Sequence, residues 1–152
     1  MGVLHQTLIS KLYDETTFYQ AFLTDLEACR NEVIIESPYI TSERTRPFIP
    51  LFTRLIEKGV KIYVFTRDPK EHEEIMEYQS EEVISLFERM GAQVLLCIGN
   101  HHRKLAILDR KILYEGSLNI LSQNHSREIM RRIQSKKLAM EIFHFLKLEK
   151  FL

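Results

Sequence analysis

The sequence predicts an α/β domain in which a mixed, largely parallel β-sheet is flanked by helices on both faces. Three observations lead there. Short apolar runs alternate with amphipathic segments through the first hundred residues. The connections between those runs are long enough to hold crossover helices, which parallel strands require. Past Asn100 the spacing tightens, and two apolar runs follow each other with only a turn between them. A chain of 152 residues is near the usual size of one domain and can bury a core without disulfides or metal. No linker or internal repeat divides it, so residues 1–152 are read as a single domain.

The elements follow in order. Thr16 to Arg30 sets Phe18, Phe22, Leu26 and Cys29 near one face at helical spacing, and Val33-Ile34-Ile35 then gives a buried strand. Ser37-Pro38-Tyr39 is a turn signal. A second amphipathic helix covers Pro47 to Lys58 before Gly59 stops it, and Val60 to Phe65 is the next strand. Asp68-Pro69 punctuates the chain. An acidic first turn from Glu71 then opens a helix that carries Ile75, Val83, Leu86 and Phe87 to Gly91. Val94 to Ile98 is the third strand. Lys104 to Leu108 and Lys111 to Tyr114, joined by Asp109-Arg110, form an antiparallel hairpin. A polar loop from Ser117 to Ser126 leads to a last strand, Ile129 to Ile133. Ser135 then caps a helix carrying Leu138, Ile142, Phe145 and Leu146.

Composition excludes several classes. No apolar run approaches the roughly 20 residues of a membrane span, which points to a soluble protein. Met1 to Ser10 lacks the cationic start, apolar core and small-residue site of an export signal, so the cytoplasm is the expected compartment. Cys29 and Cys97 stand far apart, which argues against a zinc knuckle and a disulfide framework and favours buried thiols. Net charge is zero, but residues 1–100 hold 10 Lys and Arg against 16 Asp and Glu, a net of −6, while residues 101–152 hold 11 against 5, a net of +6. A phosphate-rich partner would be drawn to the second part. Taken alone, residues such as Lys136 and Lys137 are better read as solvating a helix face.

Within that basic part the reactive residues concentrate in His102-Arg103-Lys104, Asp109 and Gly116-Ser117-Leu118-Asn119. On an extended strand His102 and Lys104 point the same way, about 7 Å apart, so both can reach one phosphate while Arg103 points elsewhere. Gly116 at a strand end lets backbone approach a ligand, and Ser117 and Asn119 supply uncharged hydrogen-bonding groups. His101, His125 and His144 read as surface histidines.

The pattern H-x-K-x4-D-x6-G-S-x-N resembles the signature of the phospholipase D superfamily, its HKD motif, at every fixed position, and its register selects His102 rather than His101. Ile35-Glu36-Ser37-Pro38-Tyr39 is similar to the family's first strand and turn, and Ser126-Arg127-Glu128 to its later acidic position. The resemblance implies the phospholipase D-like fold and a phosphodiesterase that needs no metal or cofactor. It also implies two motifs facing each other. His5, His72, His125 and His144 have no lysine two residues on, so the second motif is expected from an identical chain across a two-fold axis. His102 would attack phosphorus to give a covalent phosphohistidine, and His102 of the second copy would protonate the leaving oxygen. Lys104 and Asn119 would stabilise the developing charge. Glu128 would orient His102, although it is equally able to pair with Arg131 or Arg132. Asp109, named by the motif, falls at the hairpin turn and is read as supporting the strands. Ser37 and Arg127 are carried over as substrate-binding residues; Ser37 and Tyr39 would line the substrate groove or shape a turn, and the turn is the preferred reading.

Nucleases, lipid hydrolases, transferases and inactive members share this superfamily. DNA is the preferred substrate, on the basic C-terminal third, the lack of an apolar segment suited to a bilayer, and a compact size similar to small single-motif endonucleases. Ser37 to Arg46 and Asn119 to Arg132 also resemble domains attached to helicases and restriction systems, which would then be partners. Two alternatives stay open: a phospholipid phosphodiesterase, and a non-catalytic DNA-binding module of a helicase or restriction system.

Overall fold

A computed structural model describes residues 9–122 and 125–152. Most of the N-terminal stretch read for an export signal, including His5, lies outside these residues, as do Gln123 and Asn124 of the polar loop. The strands are β1 (Ile9–Asp14), β2 (Glu32–Glu36), β3 (Lys61–Arg67), β4 (Gln93–Cys97), β5 (Leu105–Leu108), β6 (Ile112–Gly116) and β7 (Ile129–Gln134). They join in one sheet, in the order β1-β7-β6-β5-β2-β3-β4. The helices are α1 (Phe18–Glu27), α2 (Ser42–Thr45), α3 (Phe48–Glu57), α4 (Glu74–Met90) and α5 (Lys136–Phe145).

The α/β class and mixed sheet match the expectation, but the sheet is less parallel than "largely" implies. Only β2–β3 and β3–β4 pair in parallel, and the other four pairings are antiparallel. Helices α3 and α4 cross between the neighbouring strands β2, β3 and β4, while α1 carries the chain from β1 to β2, which run the same way with β7, β6 and β5 between them. Every later strand arrives by a turn or loop, and a strand that returns without a crossover pairs antiparallel.

Strand alternation divides the core. Val33 and Ile35 of β2 join Phe18, Phe22, Phe48, Phe52 and Phe87 on the face covered by α1, α3 and α4. Ile34 joins Phe65, Ile107, Leu113 and Phe143 on the face covered by α5. The stripes of α1 and α3 are buried as their spacing predicts. Helix α4 starts later than expected and buries Ser80, Val83, Ile84 and Phe87, while Ile75 is 76% exposed.

Sheet direction also decides where chemistry can gather. The carboxyl ends of β2, β3, β4 and β6 and the amino ends of β5 and β7 share one sheet edge, as the pairings Glu36↔Leu105, Leu105↔Glu115 and Gly116↔Met130 require. Asp109 closes the β5–β6 hairpin at the other edge, with φ +52° there and +54° at Arg110, the left-handed pair of a two-residue hairpin turn.

Candidate active site

At the first edge His102, Lys104, Gly116, Ser117, Asn119 and Glu128 line one open cleft of ≈ 1020 Å³. His102 and Lys104 sit in the segment between β4 and β5, Ser117 and Asn119 follow β6, and Glu128 precedes β7. The Lys104 ammonium donates to the main-chain oxygen of His102 at 2.8 Å and lies 2.8 Å from Nδ1 of the same ring. A charged lysine can only donate, so Nδ1 accepts and its lone pair is occupied by Lys104. Desolvation lowers the Lys104 pKa, and the Glu128 carboxylate partly offsets that. Oδ1 of Asn119 is buried without a hydrogen-bond partner among the described residues. That oxygen is an acceptor, so only a donor could pair with it.

Other expected site residues are placed differently. Glu128 faces Lys104 and Ser117 rather than His102: hydrogen bonds from Ser117 and Ser126, then the charge of Lys104, hold its carboxyl below the usual range. Its role as the orienting group of His102 is therefore corrected within one chain. The hydroxyl of Ser117 accepts from Ile129 N–H at 3.0 Å and so fastens β7. Gly116 makes room for β7, not for a ligand, since a Cβ there would stand 2.1 Å from the Ile129 carbonyl. Ser37 is fully buried, donates to the Tyr39 carbonyl and accepts from Leu121 N–H, so it shapes the loop that carries Asn119 and does not reach the cleft. Arg127 is exposed and outside the cleft lining. Asp109 is about 16 Å along β5 from Lys104, and its carboxylate accepts the N–H groups of Arg30, Asn31 and Glu32.

Several neighbours of His102 were not anticipated. Tyr39 sets its ring edge-on to the His102 ring at 6.2 Å, packs on His72 at 5.0 Å, and accepts from Arg67. Arg67 also binds Glu71 and Asn100. His101, read as a surface residue, has a side chain only 8% exposed, 3.8 Å from Glu36. Their position after the parallel strands β2, β3 and β4 was the available signal, because ligand crevices in α/β sheets open at the carboxyl ends of strands. Leu12, Ile129 and Phe145, at 50%, 51% and 81% exposure, border the cleft. They place apolar surface beside the site, although no continuous apolar segment suited to a bilayer is among them. Among the described residues no three His, Cys, Asp or Glu side chains come together as a metal site would need.

The model of the family described as cardiolipin synthase, PLD-like domain, matches residues 22–147. The chain belongs to this family. Among solved structures, this PLD-like domain is similar to Nuc from Salmonella typhimurium, a phospholipase D family member, with 13% identity, 93% of each chain covered and a TM-score of 0.75. It is also similar to NucT from Helicobacter pylori, with 16% identity, 93% and 94% coverage and a TM-score of 0.69. Against polyphosphate kinase from Porphyromonas gingivalis the PLD-like domain shows 11% identity and a TM-score of 0.71, covering 92% of its own length and 26% of the other chain. No curated protein matches the sequence. At these identities the likeness establishes a phospholipase D-like fold, and the fold alone does not select a substrate.

Proposed function

We propose that this PLD-like domain is a phosphodiesterase that cleaves nucleic acid, most directly DNA, at a site completed by a second copy of the chain. The observation that carries the reading is the meeting of His102, Lys104 and Asn119 in one cleft. An arriving phosphate would draw the Lys104 ammonium off Nδ1 and free that lone pair. One imidazole nitrogen then bonds phosphorus as the bond to the leaving oxygen breaks, and the protonated His102 of the second copy gives that oxygen its proton. In the second displacement the same imidazole, now neutral, takes a proton from water as the water oxygen replaces nitrogen on phosphorus. Lys104 and Asn119 of both copies stabilise the equatorial oxygens, the role that metal ions fill elsewhere. With one ring neutral and the other charged, the rate falls on both sides of a pH optimum.

One chain supplies one histidine of the required pair. The exposed Leu12, Ile129 and Phe145 beside the cleft offer the surface on which a second copy would close, because an apolar rim next to a shared site is hidden by the association that completes it. The same rim favours a second reading, a phospholipid phosphodiesterase, with the residues contacting acyl chains. Lys104 and Arg131 in the cleft fit a polyanionic strand.

The test is cleavage of labelled single- and double-stranded DNA in EDTA by wild type, His102→Ala and Phe145→Asp, with sedimentation of each. We expect cutting by wild type, none by His102→Ala, and joint loss of dimer and cutting in Phe145→Asp. DNA bound but intact would make the domain a binding module for a helicase or restriction partner. No binding, with headgroup released from anionic vesicles, would establish the lipid reading.

A further inference from the structure

The segment that presents His102 has little of its own to hold it. Residues 98–103 lie between β4 and β5 without helix or strand, and no backbone-to-backbone hydrogen bond ties them to the other described residues. Four side chains hold the segment instead, one of them Lys104, which donates to the His102 main-chain oxygen. Glu71 accepts the Gly99 N–H at 3.1 Å, and Arg67 donates to Asn100 at 2.7 Å. Glu36, at the end of β2 and fully buried, accepts two hydrogen bonds from Arg103, from Nε at 3.0 Å and Nη2 at 2.9 Å. Nε2 of His101 stands 3.8 Å from the same carboxylate and has no hydrogen-bond partner.

Glu36 therefore grips Arg103, the residue after His102, and stands beside His101, the residue before it. A two-pronged guanidinium–carboxylate pair fixes orientation as well as distance, and β2 is a rigid central strand that pairs with β3 and β5. His102 itself is exposed, and Glu128 does not reach it. We propose that Glu36 is a positioning residue for His102, acting through Arg103 to hold the imidazole toward the phosphate. The kinetic part of this proposal rests on the phosphodiesterase reading above; the geometric part does not.

The test compares wild type, Glu36→Gln and the double variant Glu36→Leu/Arg103→Met. The double variant removes the clamp without leaving a buried charge unpaired, a replacement that well-packed apolar residues usually tolerate, so it guards against simple unfolding. Both variants are expected to fold; Glu36→Gln should keep a nearly unchanged KM, while the double variant also loses the Arg103 charge from the cleft wall and should bind DNA more weakly. The kcat should fall on the order of 100-fold, the effect of moving a reacting group by about 1 Å. Nitrogen-detected NMR of the imidazoles, assigned with His102→Ala, should show the His102 resonances shifted and broadened while those of His144 on α5 stay in place. A folded double variant with wild-type kcat and unmoved His102 resonances would overturn the proposal. If wild type itself does not cleave, the phosphodiesterase reading fails and the His102 resonances still decide the positioning role.

Discussion

Asp109 is the motif residue whose replacement most sharply separates folding from chemistry. Its Oδ1 accepts the N–H groups of Asn31 and Glu32 at 2.8 and 2.9 Å, and its Oδ2 accepts that of Arg30 at 2.9 Å. In this way it ties the β5–β6 turn to the start of β2. Hydrogen bonds to a charged acceptor contribute about 1.5–3 kcal/mol each when shielded. Two of these three are exposed, so Asp109→Ala should cost about 2–4 kcal/mol in total. For a chain of this size that is a fall in melting temperature of about 5–15 °C. Asp109→Asn keeps Oδ1 and should lose roughly half as much. The assay is calorimetry on both variants, followed by DNA cleavage well below their melting points. Full activity there is expected. An unchanged melting temperature with abolished cleavage would refute the reasoning and put Asp109 in the chemistry.

Gly116→Ala drives a Cβ to 2.1 Å from the Ile129 carbonyl and 2.8 Å from Met130 Sδ, so β6 and β7 must separate. The expected loss exceeds the roughly 1–3 kcal/mol of ordinary overpacking, and a wild-type urea midpoint would contradict it. Stability should also rise with pH between about 5 and 7. Desolvation, ahead of the charge of Arg67, lowers the pKa of His72, and desolvation, ahead of Arg103, outweighs Glu36 in lowering that of His101. Below the unfolded value the unfolded chain binds protons that the folded chain refuses, so stability is present above that value and lost as pH falls through the folded ones. Glu71 and Glu128, whose pKa values are depressed, act below 4.5, a separate window. Urea midpoints across the neutral range should flatten in His101→Gln; an unaltered slope would remove His101 from the account.

Much of the fold was legible because it rests on local periodicity. Phe18, Phe22 and Leu26 recur at helical spacing and are buried together, and Asp109-Arg110 leaves room only for a hairpin. Strand β1 was not legible. It is an edge strand whose residues are mostly exposed, so it is held by backbone pairing with β7, which leaves little pattern in the side chains. In the site, the spacing of His102, Lys104 and Asn119 carried their convergence. Glu36 gave no such signal: it closes an apolar run like any strand end, and its partner Arg103 is 67 positions away. Strand alternation turned Arg103 away from His102 and Lys104, but residues 101–104 precede β5, and Arg103 borders the same cleft while its guanidinium reaches the buried Glu36 carboxylate. Gly116 and Ser117 were read toward a ligand because sequence spacing does not reveal β7 lying against them.

The pairing of β1 with β7 sets a rule for how this chain can mature. Ile9 sits opposite Gln134, so the outer ladder cannot close until Gln134 has left the ribosome. Until then β1 is a strand without a template, and the cleft, whose walls include the start of β7, does not exist. Helix α1 and strands β2 to β4 can assemble early from nearer contacts, whereas the long loop to β1 closes late and slowly. A nascent chain stalled before β7 would thus carry its histidine and lysine but no cleft to hold them, so the site is assembled only with the last strand.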